Sequence, residues 1–169
     1  MKKIAPVLTI LTIVVIIITI FLSLSTQQNM IVVYKGNIDK KVVPIVLGKF
    51  QDSDCGMIID DLTYTSEVIA NDGKTWFFHD HGGMVHWLQN KSFKDSAKIL
   101  VYAKDTQKYI DGGEAWYSRT DTTPMLYGFG AYENKKDDLI DFKTMSLYML
   151  RGENLTNPKI KKALLGDVN

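Results

Sequence analysis

Thr63-Tyr64-Thr65-Ser66-Glu67-Val68-Ile69-Ala70-Asn71-Asp72-Gly73-Lys74-Thr75-Trp76-Phe77-Phe78-His79 decides the fold. Two runs rich in β-branched and aromatic residues flank Asn71-Asp72-Gly73-Lys74. Asp-Gly tolerates the positive dihedrals of a tight hairpin turn, so Thr63–Ala70 and Thr75–His79 are expected to pair as antiparallel strands. Side chains alternate along a strand, which puts Trp76 and Phe78 on one face and Phe77 on the other. Asp80 is a helix N-cap by type. A helix is predicted from Gly82 to Gln89, with Met84, Trp87 and Leu88 at i, i+3, i+4 spacing. Lys98–Ala103 reads as a further buried strand, giving the order strand, strand, helix, strand.

The C-terminal half repeats this order weakly. Glu114–Ser118 reads as a short strand and Met125–Tyr132 as the next, with Gly128 and Gly130 marking a bulge or a close backbone approach. A helix is expected from Leu139 to Leu150, stopped by Gly152. Pro158 begins a short amphipathic segment in the tail. Upstream, Met30–Tyr34 reads as a strand, and Val42–Leu47 as an extended segment held to an edge by Pro44. The expected fold is α+β: an N-terminal transmembrane helix followed by a small domain of two ββαβ-like repeats with a mostly antiparallel sheet.

The membrane expectation rests on Ile4–Leu24, an almost purely apolar run after Lys2 and Lys3. About 20 apolar residues span a hydrocarbon core, whereas a signal-peptide core has roughly 7–15. Leu22-Ser23-Leu24-Ser25-Thr26 has no clear A-x-A cleavage pattern, and no cysteine lies near the end of the run. Residues 1–28 are therefore read as an uncleaved membrane anchor or signal with its linker, and residues 29–169 as the folded domain. The cationic flank places Lys2 and Lys3 in the cytoplasm. A single-pass inner-membrane protein with its domain in the periplasm is the expectation.

The net charge of +1 leaves no basic excess for nucleic-acid binding. A single cysteine excludes an intrachain disulfide. That cysteine lies in Asp54-Cys55-Gly56-Met57, where a thiolate and a thioether two residues apart form a compact pair of soft donors suited to Cu(I). Taken alone, the pair is a weak signal, since a lone Cys beside a Met is most often a small buried residue beside a core filler. Two more stretches carry sulfur or imidazole: His79-Asp80-His81-Gly82-Gly83-Met84-Val85-His86, which holds all three histidines, and Thr122-Thr123-Pro124-Met125-Leu126-Tyr127-Gly128. His81 and His86 are five apart, which does not fit an HExxH zinc site. Met84 at helical spacing reads as core. No G-x-S-x-G elbow or P-loop is present.

In this order and combination, Cys55-Gly56-Met57, Phe77-Phe78-His79-Asp80-His81-Gly82-Gly83-Met84-Val85-His86-Trp87-Leu88 and Thr123-Pro124-Met125 leading into Gly128-Phe129-Gly130-Ala131-Tyr132 resemble the NosL family. These are nitrous oxide reductase accessory proteins, and the likeness covers about residues 50 to 150. It implies two strand-strand-helix-strand units, Cu(I) binding outside the cytoplasm, and delivery of copper to nitrous oxide reductase maturation in denitrification. It carries Cys55, Met57 and Met125 over as metal-site positions. The chain departs from many family members in lacking a lipid-bearing cysteine, and in its histidine-rich stretch, where His81 and His86 are open as further ligands. The expected function is a membrane-anchored Cu(I) metallochaperone, not an enzyme, with a copper-accepting client or transporter complex as partner. Its site residues are Cys55, Met57, Met125 and His81. The alternative is a membrane-tethered thiol enzyme, organomercurial-lyase-like or redox, using Cys55.

Overall fold

The computed structural model describes residues 4–25 and 30–166; the Lys2-Lys3 flank and most of the expected linker lie outside them. In chain order the elements are α1 (Ile4–Ser25), β1 (Val33–Tyr34), β2 (Ser66–Ile69), β3 (Thr75–Phe78), α2 (His81–Gln89), β4 (Lys98–Ala103), β5 (Lys108–Asp111), β6 (Trp116–Tyr117), β7 (Ala131–Tyr132), β8 (Ile140–Asp141), α3 (Phe142–Leu150) and α4 (Pro158–Leu165). The hairpin forms as expected: β2 and β3 are antiparallel, with Ser66 opposite Phe78 and Ile69 opposite Thr75. Its turn is closed by the Ala70 N–H on the Lys74 carbonyl and the Gly73 N–H on the Ala70 carbonyl. Gly73 sits at φ +77°, where a Cβ would come within 3.0 Å of the Asn37 backbone, so glycine is required there.

Around this hairpin a five-stranded antiparallel sheet is ordered β1-β3-β2-β4-β5, and a second sheet of three short strands is ordered β7-β6-β8. Alternation along β3 divides the core in two. Phe78 joins Val68, Met84, Leu88, Val101, Tyr117, Phe129 and Met145 beneath α2 and α3, with Trp76 packed at the margin and stacked on Phe93. Phe77 points the other way, into a smaller cluster with Val43, Phe50 and Ile59, and meets Phe50 edge-on at 4.7 Å. Burying each such ring contributes roughly 1.5–3 kcal/mol. The smaller cluster positions the functional site, because it fastens the segment before β2 onto the sheet.

Glu67, directly opposite Phe77 in the register, lies fully buried on that second face. One carboxyl oxygen accepts the Val43 N–H at 3.0 Å; the other has no partner. The Val42–Leu47 stretch, expected to be extended, is therefore held by a side chain and forms no strand.

Three expectations are corrected. Among the described residues no helix is long and apolar enough to cross a membrane, which overturns both the transmembrane helix and the single-pass inner-membrane placement. The second ββαβ repeat is also incomplete. Met125–Tyr132 is a strand only at Ala131–Tyr132, because Leu126 at φ +59° and Gly128 at φ +92° turn the chain away from extended geometry. After α3 the chain enters α4, opened by Asn157 as N-cap and Pro158 in the first turn, with no strand between them among the described residues. The third correction is smaller: α3 starts at Phe142, because the Asp141 carboxylate caps it through the Thr144 N–H at 2.7 Å.

Burial pushes the Glu67 carboxyl up to about 7, against the single opposing bond from Val43. The folded state thus holds this proton more tightly than the unfolded chain, whose ordinary value is 4.5. Stability from this group is fully present below pH 4.5 and is lost as pH rises through about 7. Urea unfolding of wild type is expected to show a loss on the order of 3 kcal/mol between pH 4.5 and pH 8, much reduced in Glu67→Gln; equal pH dependence in the two proteins would refute the assignment.

Candidate metal centre

Gln51 and Ile58 bridge as neighbours in an antiparallel pair, and the residues between them form the tip of a narrow hairpin. The Asp52 N–H binds the Met57 carbonyl at 2.8 Å, and the Gly56 N–H returns to the Asp52 carbonyl at 3.0 Å. Gly56 takes φ +76°, a conformation that costs glycine little. The tip is fastened to β3 by the Ser53 N–H on the Phe77 carbonyl and by the Phe77 N–H on Ser53 Oγ.

The Asp52 carboxylate organises everything around it. Its Oδ1 accepts the N–H groups of Asp54 at 2.7 Å and Cys55 at 3.0 Å. Its Oδ2 accepts the His79 N–H at 2.8 Å and meets His79 Nδ1 at 2.6 Å. Burial alone would raise the pKa of Asp52, but these bonds, led by the His79 ring, hold it below the ordinary carboxylate value. For His79, burial favours the neutral ring, while the hydrogen bond and charge of Asp52, with Asp80 and Asp60 behind it, raise the net pKa above the ordinary value. Cys55 Sγ lies 3.9 Å from the same Nδ1 and accepts the Met57 N–H at 3.5 Å. Donor atoms of Asp52, Cys55 and His79 all fall within 4.8 Å of one another, the one such cluster among the described residues. Burial, followed by the charges of Asp52 and Asp54, pushes the Cys55 thiol up, so it carries its proton at neutral pH.

The four expected site residues separate. Cys55 is exposed at the tip, and Met57 beside it is 44% exposed. Met125 arrives from a distant loop: its N–H donates to Asp80 Oδ2 at 2.9 Å, and Asp80 is the residue after His79. Tyr127 on that loop faces the same acidic group, its pKa raised first by burial and then by the charges of Asp54, Asp80, Cys55 and Asp52. His81 is elsewhere. It is fully buried, meets Tyr117 edge-on at 5.9 Å, and neither ring nitrogen has a partner. Burial lowers its pKa to about 3. His86 is exposed, 3.3 Å from Asp54 through Nδ1, and Met84 is core as expected.

The imidazole that meets Cys55 is therefore that of His79, and Asp52 is the residue that sequence reasoning missed. Strand parity carries the signal for His79. It shares a face with Phe77, and Phe77 packs on Phe50 and Ile59, the two residues bracketing the cysteine loop. No protein-family model, curated protein or solved structure matches the chain.

Replacing the charge at Asp52 tests this geometry. Asp52→Asn leaves acceptors for part of the backbone set but removes the carboxylate opposite His79. The expected results are a destabilisation on the order of 2 kcal/mol in chemical unfolding and a fall in the His79 pKa followed by NMR; an unchanged His79 titration would contradict the pairing.

Proposed function

We propose that the chain is a Cu(I)-binding metallochaperone that holds one ion at the Cys55 loop and passes it on by ligand exchange. The observation that carries this reading is the 3.9 Å approach of Cys55 Sγ to His79 Nδ1 at a surface that also exposes the Met57 thioether. The donor chemistry favours a soft ion. Each carboxylate oxygen has two lone pairs, and all four on Asp52 are engaged by N–H groups or the His79 ring. The oxygen that a harder cation would seek is already committed, which leaves sulfur, and the His79 Nδ1 that faces Cys55 becomes a donor only on giving up the proton it shares with Asp52. Met125, tied by its backbone beside His79, supplies a second thioether in this reading. His79 takes the place first given to His81. The likeness to the NosL family supports nitrous oxide reductase maturation as the destination of the copper.

Thiol, imidazole and carboxylate together also suggest a nucleophilic enzyme, and the geometry weighs against it. A catalytic triad addresses the two ring nitrogens from opposite sides. Here Asp52 and Cys55 both approach Nδ1, while His79 Nε2 is buried without a partner. A reactive thiol is activated by a lowered pKa, and that of Cys55 is raised.

Anaerobic competition against a chromophoric Cu(I) chelator tests the proposal. Cys55→Ser is expected to abolish tight binding, because the only thiolate is lost. His79→Gln, Met57→Ala and Met125→Ala are each expected to weaken it roughly tenfold, about 1.4 kcal/mol. Loading releases the thiol proton, so affinity should fall in acid. Wild-type affinity in Cys55→Ser would sink the proposal.

A further inference from the structure

We propose that Asp80 is a positioning residue that clasps the Met125 loop against the Cys55–His79 site. This rests on the copper reading above and goes beyond it by assigning a role to a residue that donates no ligand. Asp80 is fully buried and uses both carboxylate oxygens. Oδ1 caps α2 through the Gly82 N–H at 2.9 Å. Oδ2 accepts the Met125 N–H at 2.9 Å, across 45 positions of sequence, and the Thr123 side chain adds a hydrogen bond. An ordinary N-cap needs one acceptor, and Asn or Ser serves as well as Asp. Holding a helix start and a remote loop together needs two, which aspartate has and asparagine lacks.

A second contact presses the same loop on the same turn of helix. A Cβ at Gly82 would lie 2.6 Å from the Tyr127 ring, so the missing side chain is what admits the ring. Within the loop, the Leu126 N–H binds the Thr123 carbonyl and the Gly128 N–H binds Thr123 Oγ1. Leu126 is held at φ +59°, a costly conformation for a leucine that persists where its surroundings enforce it. The loop is thus preset on α2, and its seat is adjacent in sequence to His79. The consequence is that the backbone carrying Met125 is ordered before an ion would arrive, and the entropy of fixing that loop is not charged to binding.

Asp80→Asn retains a cap for α2 and gives up one of the two seats. The expected result is a near-native circular dichroism spectrum, amide exchange at Met125 accelerated about a hundredfold, and Cu(I) affinity lowered about tenfold. In a Met125→Leu background the same substitution should lower affinity no further, since the ligand it positions is gone. Gly82→Ala displaces Tyr127 from the other side and should reproduce this pattern. Unchanged Met125 amide protection in Asp80→Asn overturns the clasp, and so does an equal loss of affinity in both backgrounds. Wild-type protein that takes up no Cu(I) overturns the copper reading instead, and leaves the exchange measurement to decide the clasp. Undiminished affinity in Met125→Leu overturns both the thioether assignment and the positioning role built on it.

Discussion

A buried carboxylate must satisfy its lone pairs or forfeit several kcal/mol of solvation, and Asp52 meets that demand by gathering four donors from two separate segments. Two come from its own loop and fold the tip that carries Cys55. Two come from His79 and fix that loop to the end of β3. The cysteine and the histidine are 24 positions apart in sequence, and a single side chain determines their separation in space. The second face of the sheet makes this arrangement durable. Phe50 and Ile59, on either side of the loop, are buried against Phe77, so the hairpin that presents Cys55 is rooted in a core of its own.

The role of Glu67 follows from the same economy of donors. The Val42–Leu47 stretch forms no strand and leaves backbone groups to be satisfied. One is the Val43 N–H, which finds the Glu67 carboxyl. The remaining oxygen is unpartnered, and burial favours the protonated acid. A neutral acid in this place costs less than a carboxylate, since only the charged form carries the large desolvation penalty.

The parts of the fold set by local chemistry were legible in the sequence. Asp72-Gly73 specified the hairpin, period-2 alternation placed Trp76 and Phe78 opposite Phe77, and Asp80 caps α2 as its side chain allows. What was not legible depends on contacts made across the chain. Met125–Tyr132 has the composition of a strand, yet Thr123 and Asp80 bend its first half into a loop. His81 and His79 look alike in sequence as members of one histidine-rich run. They part because the strand ends between them: His79 continues the face of Phe77 toward the cysteine loop, whereas His81 starts α2 and is swallowed by the core against Tyr117. Asp52 gave no signal, since an aspartate before a turn is common and its four partners come together only in three dimensions. The apolar run at Ile4–Leu24 has the composition of a membrane span, yet among the described residues no helix is long and apolar enough to cross a membrane.

The two aspartates act on the site in the same manner, and this bears on how an ion would leave it. Asp52 secures the base of one loop and Asp80 the base of another; both are buried. The groups they present are nearer the surface: Cys55 and Met57 are exposed, and Met125 is half-buried. His79 lies beneath them as the most enclosed donor. Rigid bases with exposed tips hold the donors in place while leaving one side open to an incoming ligand, unlike a closed tetrahedral shell, which retains its metal as structural zinc sites do. In the proposed copper reading, an acceptor approaching from solvent would meet the exposed Cys55 and Met57 sulfurs before the enclosed His79 ring.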